Sequence, residues 1–157
     1  KWEGVMQTAP TSLEQLLLEH ALSQTLIRYA TVCDTRNWDL LSEVFTPDCT
    51  TVYGGSYVCE GVAKVRRMIS THLDGCGPTQ HLLGNLQVDA SDPAHPRSKI
   101  YVRASHQGLG ERSHLRYDAI GFYEDEWVQR AEGWRIQKRS MTMLLDMGDK
   151  SVLQPAP

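Results

Sequence analysis

Apolar residues recur at intervals of three and four from Leu13 through Leu16, Leu17, Ala21, Ile27 and Ala30 to Cys33. That spacing lays one apolar stripe along a helix, and Thr11 or Ser12 can cap its start. A second, shorter helix is predicted over "NWDLLSEVFTPD". Asn37 caps it, Trp38, Leu41 and Phe45 supply its packing face, and it stops before Pro47 because a proline steers the preceding residue away from helical geometry. The β-branched and aromatic run "CTTVYGGSYVCEG" predicts a hairpin turning at Gly54-Gly55. Helical spacing then returns through Val62, Val65, Met68, Ile69 and Leu73, and "DGCGPT" at 74–79 reads as a loop.

From Gln80 onward the period is two. "QHLLGNLQVDA", "KIYVRASHQ", "SHLRYDAIGFYEDEWVQR" and "GWRIQKRSMTML" predict four strands, separated by "SDPAHPR", "GLGE" and "AEG". Three helices followed by a mainly antiparallel meander argue an α+β fold, with a curved sheet wrapped against the helices. The domain is placed at residues 12–145. Residues 1–11 are set apart as a flexible or vector-derived segment, since the chain opens on Lys1 and Met6 offers a natural start, and 146–157, ending "SVLQPAP", reads as a frayed tail.

Size and composition narrow the function. A chain of 157 residues with 41% hydrophobic content can fill one core without a metal or disulfides. The net charge of -3, with both signs mixed throughout, leaves no basic stripe for nucleic acid and no polybasic patch for a membrane surface. A small molecule or another protein is the expected partner. Cys33, Cys49, Cys59 and Cys76 form no CxxC pair and read as reduced, buried thiols. No run is long enough to span a membrane and the N-terminus lacks the apolar core of a signal peptide, so a cytoplasmic location is the expectation.

Of the six histidines, His20, His72, His95 and His114 read as surface or structural residues. His81 differs because it opens the sheet directly after the Gly/Pro loop, sharing strand parity with Leu83 and Asn85. His106 closes the apolar stripe of Ile100, Val102 and Ala104. From spacing alone, a satisfied core or rim histidine is the commoner reading of either. Asp34 raises a sharper question. A helix C-terminus carries partial negative charge, so an acid there costs about 0.3 to 1 kcal/mol unless something offsets it. It either turns to solvent, paired with Arg36, or accepts a histidine Nδ1–H and so fixes that ring's tautomer. No GxSxG elbow, HExxH helix or Gly-rich phosphate loop offers a rival catalytic set.

The order of "RYATVCDTRNWDLLSEVFTPDC", "TVYGG", a third helix, "PTQHLLGNLQV" and the closing "GWRIQKRSMTM" resembles the SnoaL-like branch of the nuclear transport factor two-like superfamily, over residues 12 to 145. This branch holds scytalone dehydratase, the bile acid dehydratases and hexachlorocyclohexane dehydrochlorinase. The resemblance implies a cone of three helices closed by a strongly curved sheet around an apolar pocket. It also implies an Asp34–His81 dyad in which the histidine removes a proton from carbon. Tyr29 matches a catalytic tyrosine of the bile acid enzymes. Tyr53 and His106 resemble a tyrosine and a second histidine that bind the oxygen-bearing end of substrate and the leaving group. Arg139 is the nearest match to a late arginine that assists some relatives. The implied activity is a cofactor-independent, metal-independent elimination from an apolar, cyclic substrate such as a steroid, polyketide or terpenoid; isomerisation or cyclisation by the same base, and a non-catalytic binding domain, remain open alternatives. Relatives bury the outer sheet face between subunits. With Tyr101, Arg103, Tyr123 and Trp127 assigned to that face, a homo-oligomer is expected, with a trimer preferred over a dimer.

Overall fold

The computed structural model describes residues 10–154. The first helix, α1, spans Leu13–Thr35, with the Ser12 hydroxyl accepting from the Gln15 N–H at 3.1 Å. A short 3-10 helix at Trp38–Glu43 leads into strands β1 (Phe45–Tyr53) and β2 (Tyr57–Glu60), then helix α2 (Val62–Leu73). Four long strands complete the chain: β3 (Cys76–Asp89), β4 (Arg97–Gly108), β5 (Arg116–Arg130) and β6 (Gly133–Gly148). They form one six-stranded sheet in the order β2-β1-β6-β5-β4-β3. All neighbours are antiparallel except β1 and β6. Three helices pack on one face of this strongly curved sheet, the α+β architecture expected from the sequence.

The core lies between that inner face and the helices. Leu22, Leu26 and Val32 of α1 meet Val65 and Ile69 of α2 and the inward residues Ile100, Val102, Ala104, Tyr117, Tyr123 and Trp127 of the sheet. Each fully buried aliphatic side chain of this kind contributes about 1.5–3 kcal/mol. The four cysteines are buried and unpaired. Among the described residues no helix is long and apolar enough to cross a membrane.

Several local expectations change. The second helix is a 3-10 turn that ends at Glu43, closed by the Val44 N–H on the Leu41 carbonyl at 3.1 Å, and Asn37 makes no side-chain cap bond. Phe45 instead pairs with Ile136, and Pro47 sits where the β1–β6 register shifts, a place where a missing N–H is tolerated. The 74–79 segment is not all loop. β3 starts at Cys76, and Pro78 falls in a bulge of an edge strand. Leu13, Leu16 and Leu17 are exposed, Leu13 at 69%, so the buried stripe of α1 begins only at Leu22. Tyr123 and Trp127, assigned to the outer face with Tyr101 and Arg103, point inward and are buried. At the C-terminal end β6 runs to Gly148, and a 3-10 turn at Lys150–Leu153 buries Val152. The assignment of 1–11 as flexible falls mostly outside the described residues.

Candidate functional site

Asp34 stands in the last turn of α1. One residue after the helix, Arg36 adopts φ 59° and ψ 22°, a left-handed geometry that costs a residue with a side chain about 1–2 kcal/mol. Its guanidinium closes the helix end, donating to the carbonyls of Cys33 and Asp34. It also reaches the Leu73 carbonyl at the end of α2 (3.0 Å), the Gly77 carbonyl (3.1 Å) and the Thr79 hydroxyl (2.8 Å) on β3. A cation thus occupies the negative end of the helix, which answers part of the cost of an aspartate there.

The Asp34 carboxylate takes three hydrogen bonds from β3. Oδ1 lies 2.7 Å from His81 Nδ1 and accepts from the Thr79 hydroxyl at 3.0 Å, while Oδ2 accepts from the His81 backbone N–H at 2.9 Å. β3 is the sheet edge, so its outward N–H is free for this contact. The His81 side chain is 6% exposed and that of Asp34 25%. Burial pushes the Asp34 carboxyl up, but the bonds from the His81 ring and backbone and from Thr79 outweigh it and hold the group below the usual carboxylate range. With Nδ1–H committed to the carboxylate, His81 Nε2 makes no hydrogen bond among the described residues.

His106 lies beside the dyad, its ring edge-on to His81 with centroids 5.8 Å apart. Its Nδ1 is 3.0 Å from the Tyr117 carbonyl, which fixes the proton on Nδ1. Desolvation lowers its pKa despite that bond, and the neighbouring His81 adds to the fall. It therefore rests neutral.

Tyr29 and Tyr53 form a second group, their hydroxyls 3.4 Å apart. The Tyr29 ring meets Phe45 and Tyr123 edge-on at 5.9 and 5.6 Å. The Arg139 guanidinium carbon stacks 4.4 Å from the Tyr29 centroid and 4.2 Å from that of Tyr123, while Nε and Nη2 donate to Asp125 at 2.7 and 2.8 Å. Both members of this ion pair are fully buried. The Arg139 charge persists because the Asp125 carboxylate faces it. Among the described residues, Arg139 Nη1 and the hydroxyl of Thr51, its register partner on β1, are buried without a hydrogen-bond partner. Burial lifts Tyr29 well above its ordinary range and Tyr53 to about 12, so both stay protonated donors. No hydrogen bond or ring contact among the described residues joins this group to the Asp34–His81–His106 group.

A separate cleft of about 860 Å³ lies at the opposite end of α1, between Leu17 and Leu18 and the residues Val88, Ala90, Pro93 and Trp134. The sequence offered Arg36 only as a solvent-side partner of Asp34, and Thr79, Thr51 and Asp125 were passed over. Asp125 carried a signal: it shares strand phase with Tyr117, Tyr123 and Trp127, so it is an acid on an apolar side.

The profile of the SnoaL-like domain matches residues 14–140. The chain belongs to the SnoaL-like family. An uncharacterised protein of Mycobacterium tuberculosis is 27% identical over 140 residues, covering 88% of this SnoaL-like chain and 94% of its own. The fold matches a crystal structure from Novosphingobium aromaticivorans provisionally assigned as a scytalone dehydratase, with TM-score 0.78 and 19% identity over 85% of this chain and 89% of that one. It also matches hexachlorocyclohexane dehydrochlorinase LinA-type3 from Novosphingobium barchaimii, with TM-score 0.75 and 14% identity over 92% and 98% of the two chains. The SnoaL-like fold thus has neighbours of the dehydratase and dehydrochlorinase type.

Proposed function

We propose that the protein is a cofactor-independent lyase that removes a carbon-bound proton and eliminates water or a similar group from an apolar, cyclic substrate such as a steroid, polyketide or terpenoid. The observation that carries this reading is the 2.7 Å contact between Asp34 Oδ1 and His81 Nδ1, with Nε2 unpartnered among the described residues. Asp34 holds the tautomer and offsets the imidazolium charge as His81 takes the proton through Nε2. Protonated Tyr29 and Tyr53 donate to a developing enolate oxygen, and Arg139, whose Nη1–H is spare among the described residues, stacks on the Tyr29 ring. Neutral His106 accepts a hydrogen bond from the leaving hydroxyl, and the proton captured by His81 is the one available to release it. The fold neighbours of dehydratase type support this reading.

The test is turnover of a panel of such ligands by His81→Ala and Asp34→Asn. We expect a fall of about 10²–10⁴-fold in each. Rates near wild type in both would reject the dyad. A second reading, isomerisation or cyclisation by the same base, is favoured by the neutral state of His106, because a group that is not a ready acid gives less help to a departing hydroxyl. Turnover in deuterated solvent separates the two: deuterium retained in a product of unchanged formula marks isomerisation, and loss of water marks elimination. The protein is also proposed to assemble as a homo-oligomer, a trimer, through its outer sheet face.

A further inference from the structure

The dyad is not freestanding. Asp34 Oδ1 receives the Thr79 hydroxyl at 3.0 Å, and the same hydroxyl oxygen receives Arg36 Nη1 at 2.8 Å. The chain Arg36, Thr79, Asp34, His81 is continuous, each group donating toward the carboxylate. Arg36 is itself pinned at four carbonyls from three elements: Cys33 and Asp34 on α1, Leu73 on α2 and Gly77 on β3. Such a fork has one orientation, because guanidinium donors are planar and fixed relative to one another. Its backbone is held left-handed, a conformation in which glycine would be the unstrained choice.

We propose that Arg36 and Thr79 are positioning residues of the dyad. They lock the Asp34 carboxylate against β3 so that His81 keeps its proton on Nδ1 and presents a bare Nε2. This rests on the reading of His81 as the base given above, and it assigns that base a second layer. The two His81 N–H groups hold one carboxylate oxygen each, a grip that still tolerates small rotations about the broad terminal torsion of aspartate. The Thr79 hydroxyl adds a second donor to Oδ1 and narrows that freedom. It can do so because Arg36 takes one of its lone pairs from one side, which leaves its proton aimed at Asp34. A bridge that merely ties helix to sheet would need Arg36 on the carbonyls but would not need the hydroxyl.

The experiment uses protein labelled with ¹⁵N in its histidines and ¹³C in its aspartates, in buffer alkaline enough that the rings are neutral. The ring nitrogen shifts of His81 report its tautomer, and the carboxyl carbon of Asp34 reports its titration. Thr79→Val keeps the branched shape and removes the hydroxyl. We expect the ratio of Nδ1–H to Nε2–H tautomer to fall roughly tenfold, the scale of one lost charge-assisted hydrogen bond, and the Asp34 midpoint to move upward. Thr79→Ser restores both. Arg36→Gly relieves the left-handed backbone yet disturbs the tautomer in the same direction, and it carries the test should Thr79→Val fail to fold. An undiminished Nδ1–H tautomer in Thr79→Val, or in Arg36→Gly if that alone folds, overturns the proposal. A wild-type protein without Nδ1–H on His81 would sink the dyad reading itself, an outcome distinct from the failure of its support.

Discussion

His81 and His106 carry the same ring 5.8 Å apart, and their Nδ1 partners give them different chemistry. At His81 the partner is a carboxylate that fixes the ring's tautomer; at His106 burial disfavours the charged ring and outweighs the support of the Tyr117 carbonyl. The second has a consequence for stability. A histidine whose folded pKa lies below its unfolded value of about 6.5 takes up a proton more readily when unfolded, so stability is intact above that pH and declines as pH falls toward the folded value. Urea midpoints measured from pH 8 downward should fall across this window in the wild type and fall less in His106→Gln; equal slopes would contradict the buried neutral ring. Asp34 acts lower on the scale. Its depressed carboxyl contributes stability above about pH 3.9 that is lost as pH drops through the folded value. The Arg139–Asp125 pair gives a further residue-scale prediction. Removing one partner leaves the other charge buried and alone, at a cost of about 3–5 kcal/mol, whereas Asp125→Leu combined with Arg139→Met should cost clearly less than the two singles summed. Chemical denaturation of the three variants measures this, and strict additivity would count against a coupled pair.

At the scale of elements, sequence and structure part where periodicity has two solutions. The strand "RYDAIGFYEDEW" carries apolar groups in both phases, Ile120 and Phe122 in one and Tyr117, Tyr123 and Trp127 in the other. Alternation therefore located the strand but could not say which phase faces the helices, and Tyr123 was turned the wrong way. The β4 stripe of Ile100, Val102, Ala104 and His106 has one apolar phase, and there the expected face is the observed one. α1 failed differently. Its stripe was legible, yet the first turns overhang the core and Leu17 and Leu18 line a cleft instead. Leu16→Ala should thus change stability by less than about 0.5 kcal/mol while Leu22→Ala costs about 2–5. The candidate site was legible where a residue type was out of place, an acid at a helix end and a histidine after a Gly/Pro loop. Its supports were not, because Thr79 and Arg36 are ordinary residues whose role depends on where α2 and β3 end. Bulges escaped for a similar reason. Gly121 sits at one, where a Cβ would meet the Thr142 carbonyl oxygen at 2.0 Å, and Gly121→Ala should cost about 2 kcal/mol or more in thermal or urea unfolding.

For the whole molecule, the outer face of the sheet is the surface through which assembly is proposed. Leu82, Tyr101, Ile120, Phe122 and Leu145 stand on neighbouring strands β3 to β6 and form a continuous patch, with Leu82, Tyr101 and Leu145 exposed. The patch is knit laterally: Tyr101 meets Phe122 edge-on at 6.3 Å, and the Lys99 ammonium lies 3.9 Å over the same ring. Beside it the Arg103–Asp118 ion pair, at 2.5 Å, keeps Arg103 largely exposed. An apolar centre with charges at its edge suits the proposed assembly, since desolvating aromatic groups is favourable while burying ion pairs is costly. A proposed trimer of the 17.7 kDa chain, three times that mass, scatters light as about 53 kDa. Tyr101→Glu places a carboxylate in the middle of the patch without touching the inner face, so it should shift the protein toward 17.7 kDa at micromolar concentration while leaving far-ultraviolet circular dichroism unchanged. A wild-type protein that already scatters as a monomer would remove the outer face from the assembly and leave its aromatic surface without a role.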